Sequence, residues 1–199
     1  MAALLKVFQL QPADVIVSTT DAAISTGIRS ATGSTVSHAA LYAGGGYIIE
    51  AIGEGVVKRP HFKALEEDIL AIAYRRVGIT TDKAKEVVSY AERYIGRPYD
   101  KLGAVGSGTT SSRGGAIYMG IKIISPAAGG VLGDRVKNNA SDGNKDNAFF
   151  CSELVARAFE LAGIPISDLP ASYTNPMGVM RSSKLQFLGD LEVFPIRRD

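Results

Sequence analysis

The chain has 199 residues, 46% of them apolar and 21% charged, with 22 Lys+Arg set against 20 Asp+Glu. That balance supports one compact domain with a real core and excludes a disordered chain. A net charge of +2 without blocks of like charge argues against a nucleic-acid binder. No run approaches the roughly 18 apolar residues of a membrane-spanning helix, and the short apolar start from Met1 to Leu5 is no signal-peptide core. The chain is therefore expected to be cytoplasmic as synthesised, with any export following a route that reads no signal. Its single cysteine, Cys151, excludes an intrachain disulfide and a multi-thiolate zinc site. It is either a small buried residue or a reactive thiol.

The first third is strand-like. Asp14 to Ser18 and Val36 to Tyr42 are β-branched or apolar runs, and Gly44-Gly45-Gly46 joins the second to Tyr47-Ile48-Ile49-Glu50-Ala51. Two apolar strands around a glycine cluster predict a hairpin, since tight turns need positive φ. Gly55 to Arg59 and Ile69 to Val77 read as further strands, with a helical turn between Phe62 and Asp68. A helix begins at Thr81 or Asp82 and buries Ala84, Val87, Val88, Ala91, Tyr94 and Ile95, before Gly96 and Pro98 stop it. Arg75-Arg76 and Arg197-Arg198 read as solvated charges.

The stretch from about 103 to 147 holds ten of the 22 glycines, Ser/Thr clusters, and an apolar island from Ile117 to Val131. Such insertions are either lids and substrate loops or loose surface excursions. Cys151 to Ala162 then reads as a helix ended by Gly163 and Pro165. Leu185 to Leu188 and Leu191 to Phe194 predict a closing hairpin around Gly189-Asp190.

The chemistry centres on Cys151. At a helix start, unpaired N–H groups and the positive end of the dipole favour the thiolate, the form that attacks carbonyls. Of the two histidines, His38 lies in a strand and His61 follows Pro60 in a loop. An odd hairpin loop (Ala43 to Gly45, or Tyr42 to Gly46) sets His38 directly opposite Glu50 on one face, whereas an even loop turns Glu50 to the other face. A carboxylate beside an imidazole fixes its tautomer and stabilises the imidazolium. With Cys151 this gives nucleophile, base and orienting group. The alternative is a solvent-facing ion pair beside an unrelated cysteine. Tyr99 could line the cleft or pack in the core. Ser37 and Ser152 flank the candidate residues, and Glu153 faces the helix N-terminus. Two histidines and one cysteine give no metal cluster, and no cofactor is expected.

Six segments together resemble a known superfamily. They are Asp14-Val15-Ile16-Val17, Ser37-His38-Ala39-Ala40-Leu41-Tyr42, Tyr47-Ile48-Ile49-Glu50-Ala51, Gly55-Val56-Val57, Gly96-Arg97-Pro98-Tyr99-Asp100 and Phe150-Cys151-Ser152-Glu153-Leu154-Val155. In this order they resemble the permuted NlpC-type papain-like cysteine hydrolases, above all the YiiX/YebB-like branch. The lecithin–retinol acyltransferase-like proteins are more distant relatives. The resemblance runs from Asp14 to about Gly163. It implies an α+β fold, a small antiparallel sheet or partial barrel packed against the helix carrying the cysteine, in one domain over 1–199 with the glycine-rich insertion. It implies Cys151 as nucleophile, His38 as base and Glu50 as the polar third member; Tyr99, Ser37 and Ser152 are candidate substrate-binding residues from their positions alone.

The acyltransferase-like members carry a histidine at the place of Glu50 and a hydrophobic membrane anchor, so the expectation is a soluble hydrolase. The resemblance implies cleavage of an amide bond, with bacterial cell-wall peptides as substrate. A toxin delivered to rival bacteria, with its own immunity or secretion partner, is one setting for such an enzyme. A lipid esterase or acyltransferase using the same Cys/His pair, or a non-catalytic binding module on the same scaffold, are the alternatives.

Overall fold

The computed structural model describes residues 4–20, 35–100 and 148–193. Six strands form one antiparallel sheet: β1 (Val15–Thr20), β2 (His38–Gly44), β3 (Tyr47–Ile52), β4 (Gly55–Pro60), β5 (Asp68–Arg76) and β6 (Leu185–Asp190). Their order across the sheet is β4-β3-β2-β1-β5-β6. The helices among the described residues are α1 (His61–Ala64), α2 (Thr81–Glu92), α3 (Cys151–Leu161) and α4 (Pro176–Met180). The class is α+β. The glycine-rich insertion and its apolar island, and Arg197-Arg198, lie outside the described residues.

The sheet is covered on both faces. Val15, Val17, Ala39, Leu41, Ile49 and Ala51 pack with Val87 and Ala91 of α2 and with Leu154, Val155, Ala158 and Phe159 of α3. The alternate residues Ile16, Ala40, Tyr42, Ile48, Ala71 and Ala73 pack with Val7, Leu10, Leu65 and Leu191. A strand buried on both sides needs no polar alternation, which explains the continuous apolar runs. The β2–β3 turn uses Gly44, Gly45 and Gly46 at φ of +91°, +60° and +83°.

Three local expectations change. α2 begins at Thr81 as expected, capped by the Thr80 hydroxyl, which accepts the Lys83 N–H at 3.3 Å, but it ends earlier, at Glu92. Tyr94 stays buried, but Ile95 is 46% exposed, because the chain leaves helical geometry before the buried face comes round again. The closing hairpin is replaced by one strand. β6 runs straight through Gly189-Asp190, with Ala73 opposite Gly189 and Tyr74 opposite Phe187, so Leu188 is an extra residue in a bulge. Leu191 continues along β5, its N–H bonded to Ala71 O at 2.8 Å, and bridges Leu5. Arg75 is not a solvated charge. Its Nε and Nη2 each donate to the fully buried Asp14 carboxylate at 2.7 Å, which also accepts the Gln11 N–H.

The chain after α2 lies along the edge strand β4. The Val56 N–H donates to Arg97 O, and the Gly96 N–H to Val56 O, both at 2.8 Å. The segment then pairs with the approach to α3. The Phe149 N–H reaches Pro98 O at 3.1 Å, and the Asp100 N–H reaches Phe149 O at 2.9 Å. Gly55 permits this contact, with φ of +114° and a hypothetical Cβ only 2.5 Å from the Arg97 carbonyl oxygen. Gly55→Ala is therefore expected to cost about 2–4 kcal/mol, from backbone strain and a backbone clash together. A shift of the urea midpoint with an unchanged slope would show this; an unshifted midpoint would mean that β4 and residues 96–100 do not press on each other.

Candidate active site

Cys151 is the first residue of α3 and is 3% exposed. Phe150, at the N-cap, offers no capping oxygen, so the first-turn amides remain open toward the sulfur. Glu153 turns back to the Phe150 N–H at 3.5 Å. The Ser152 and Ala39 N–H groups donate to the sulfur, which lies 3.9 Å from Ser37 O. The thiol thus rests against the backbone where the chain enters β2, at residues 37–39. The β2–β3 ladder runs only from Gly44 to Leu41, so this end of β2 has space for it.

His38 opens β2 and by alternation shares a face with Ala40 and Tyr42, opposite the face that α3 covers. It meets Cys151 only because the helix start reaches the end of the strand. Its Nε2–H donates to Glu50 Oε2 at 2.7 Å, leaving Nδ1 for the hydrogen bond with Cys151. The register differs from the expectation. Leu41 pairs with Ile49 and Tyr42 with Ile48, so Glu50 lies opposite Ala40 and diagonal to His38. The turn closed by Gly44 and Tyr47 is even, holding only Gly45 and Gly46, and the irregularity between Tyr42 and Gly44 leaves Ala43 as the extra residue that returns Glu50 to the face of His38. A two-residue slip keeps both side chains on one face, and a diagonal pair of long side chains still meets.

Glu50 is 2% exposed and holds a second cation: Arg59 Nε donates to its Oε1 at 2.5 Å. Arg59 lies across from Ile48 on β4, on the same face. Burial, the largest influence on Glu50, raises its pKa; His38 and then Arg59 outweigh it and hold the carboxylate ionised. On His38, burial opposes the charged form most strongly, but the hydrogen bonds and charges of Cys151 and Glu50 lift its pKa well above the ordinary value. On Cys151, burial again pushes upward, and the bond and charge of His38, with the Ala39 and Ser152 amides, bring the thiol below its ordinary value. Both directions favour the charged forms, thiolate on the sulfur and imidazolium on the ring.

The remaining expected residues separate. Tyr99 is half-buried, bridged to Phe149, and close enough for the Cys151 charge to raise its phenol pKa after burial does. The Ser37 hydroxyl is buried and shares a 3.2 Å hydrogen bond with Thr19. The Ser152 hydroxyl is fully buried with no hydrogen-bond partner among the described residues. Both serines meet the sulfur through their backbone, not their side chains. His61 starts α1 away from this group, its Nδ1 bonded to Gly46 O at 3.0 Å.

Two residues of the cluster were not anticipated. Arg59 follows from the β3–β4 register, which could have been counted. Asp68, 4% exposed, is hydrogen-bonded by Ser18 and lies in the fields of His38, Glu50 and Arg59. Its direction depends on an irregularity at Thr19/Thr20 that no residue pattern announces.

No family model matches the chain. It is 25% identical over 188 residues to the probable lipoprotein peptidase YaeF of Escherichia coli K12, covering 93% of this chain. The chain spans 66% of that relative's length, just under two thirds. Its fold is similar to the crystal structure of the metalloprotein yiiX from Escherichia coli O157:H7, with a TM-score of 0.60 and 18% identity. That match covers 90% of this chain and 97% of the other. As for a metal here, the described residues bring together no group of three His, Cys, Asp or Glu able to hold one. Arg59 moreover already occupies one oxygen of Glu50. These residues do not fit a metal ion.

An ordinary thiol is only a few per cent ionised at neutral pH. Iodoacetamide is expected to label Cys151 about tenfold faster than a model thiol at pH 7, the thiolate gain being reduced by the lower nucleophilicity of a low-pKa sulfur. His38→Ala should remove the advantage and make labelling rise steeply with alkaline pH. Equal rates for wild type, variant and model thiol would show that no ion pair forms.

Proposed function

We propose that the protein is a cysteine hydrolase that cleaves an amide bond through an acyl-enzyme on Cys151, on a papain-like scaffold of permuted NlpC type. The carrying observation is the chain of contacts from the Cys151 thiol to His38 and on through Nε2 to Glu50. The similarity to a probable peptidase supports a peptide bond as the target. Together with the sequence resemblance, it favours a peptide of the bacterial cell wall. The protein then belongs with peptidases that meet peptidoglycan, one setting being delivery to a rival cell.

The Cys151 sulfur attacks the scissile carbonyl carbon, forming a C–S bond while the carbonyl oxygen takes the negative charge. The Cys151 N–H, in the uncapped first turn of α3, is placed to receive that charge. The imidazolium of His38 gives its Nδ1 proton to the leaving amine as the C–N bond breaks. Neutral His38 then takes a proton from water, whose oxygen attacks the thioester and expels the sulfur. Glu50 accepts from Nε2 throughout, which fixes the ring and balances the imidazolium. Tyr99, beside the sulfur, forms a wall of the substrate cleft, and the backbones of Ser37 and Ser152 hold the nucleophile.

Incubating purified peptidoglycan with the protein should release new amino groups and soluble peptides, with Cys151→Ala slower by about 10³-fold or more. Equal release by both proteins would remove Cys151 as nucleophile. Fatty-acid release from phospholipid vesicles, lost in Cys151→Ala and unaccompanied by peptide cleavage, would assign the same pair to ester chemistry instead.

A further inference from the structure

Five consecutive strands each contribute one polar side chain to a row across a single face of the sheet. In sheet order these are Arg59 on β4, Glu50 on β3, His38 on β2, Ser18 on β1 and Asp68 on β5. Arg59 bonds Glu50, Glu50 bonds His38, His38 lies directly across from Ser18, and Ser18 bonds Asp68. The last place in the row is built by an irregularity. Ser18 pairs with Ala71 and Thr19 with Leu70, but Thr20 pairs with Asp68, so Ile69 is the extra residue of a bulge. Without it, strict alternation would turn Asp68 to the face of Leu70 and the helices. The bulge instead places it on the face of Ser18 and His38, a use of bulges common beside reactive sites. Ser18 and Asp68 are 1% and 4% exposed, so this carboxyl is buried beside the base although the hydrolytic steps do not call on it.

We propose that Asp68 is a positioning residue of this site, held by Ser18 at the end of the row so that its ionisation adds a third negative charge facing the imidazolium and keeps His38 protonated to higher pH. The inference rests on His38 being the base. The groups facing Asp68 are Ser18 on β1, His38 on β2, Glu50 on β3 and Arg59 on β4. Burial pushes its pKa to about 7; His38, Ser18 and Arg59 pull against that shift, and Glu50 adds to it. Below about pH 7 the buried acid is neutral, and the row carries one carboxylate for two cations. Above it, two carboxylates face them. The coupling is reciprocal: because the charge of His38 favours the Asp68 anion, that anion favours the imidazolium by the same free energy. The thiolate–imidazolium pair then persists further into alkaline conditions than Glu50 alone would allow.

The experiment is a pH titration of the imidazole nitrogens by ¹⁵N NMR on the full chain. There are only two histidines, and His61 serves as internal reference. The His38 signal should show an inflection near pH 7 in the wild type, ahead of its own deprotonation. In Asp68→Asn, which keeps the shape of the neutral acid, the inflection should vanish, and His38 should lose its proton about 0.5–1 pH unit earlier, the scale of one partly screened charge. Superimposable His38 curves would overturn the proposal. Ser18→Ala offers a second reading if the asparagine variant does not fold. It removes a donor to the anion, so the inflection should move to higher pH, and an unmoved inflection would count against the arrangement. The titration requires no turnover, so loss of the hydrolase reading, seen as equal peptidoglycan release by wild type and Cys151→Ala, is distinguishable from failure of this coupling.

Discussion

A carboxylate with 2% exposure cannot stay ionised without cations, and Glu50 is that group. Its two oxygens are divided between His38 and Arg59, so the imidazole is fixed by a residue that is itself fixed from the other side. An isolated exposed ion pair would contribute little and wander. Burial makes the same contacts directional, because each unmade one would leave charge in a low-dielectric site. Freedom of the His38 ring is what this arrangement removes.

The second constraint is geometric. His38 and Glu50 occupy the face of the sheet opposite α3, while Cys151 belongs to α3. They meet because the β2–β3 ladder stops at Leu41 and the helix starts beside the strand end. The hydrogen-bonded path from β4 through residues 96–100 to Phe149 sets where that helix begins. The site therefore depends on a strand edge, a glycine without a Cβ, and a helix start, each modest alone. A small displacement of any of them would separate sulfur from ring.

What the sequence showed was what periodicity and residue chemistry carry. Apolar runs located five of the strands, the 3.6-residue spacing located α2 and α3, and the rarity of Cys and His singled out Cys151 and His38. The side of the strand on which Glu50 lies was legible only on the condition of an odd loop; the turn is even, and the extra Ala43 restores the parity. The pairing itself was not legible, because the irregularity at Tyr42/Gly44 is a backbone event without a side-chain signature. The same holds for Leu188, where Gly189-Asp190 imitated a turn, and for Asp68, aimed by a bulge. Arg75 was misread because its partner Asp14 is 61 residues away in sequence.

These buried charges also tie the fold to pH in opposing ways. Glu50 and Cys151 are held below their ordinary pKa values, so their contributions are present above those values and disappear as pH falls through the folded ones. His38 is raised, so its contribution is complete at low pH and is lost as pH rises through its folded pKa. Asp68 is also raised, from 3.8 to about 7, and folding loses ground across that interval as the buried acid is asked to ionise. The contribution surrendered by Asp68 is reduced by the same attraction that stabilises the imidazolium. Weakening the row to stabilise the fold at neutral pH would therefore also release the proton on His38, and replacing Asp68 by an apolar residue would trade one for the other.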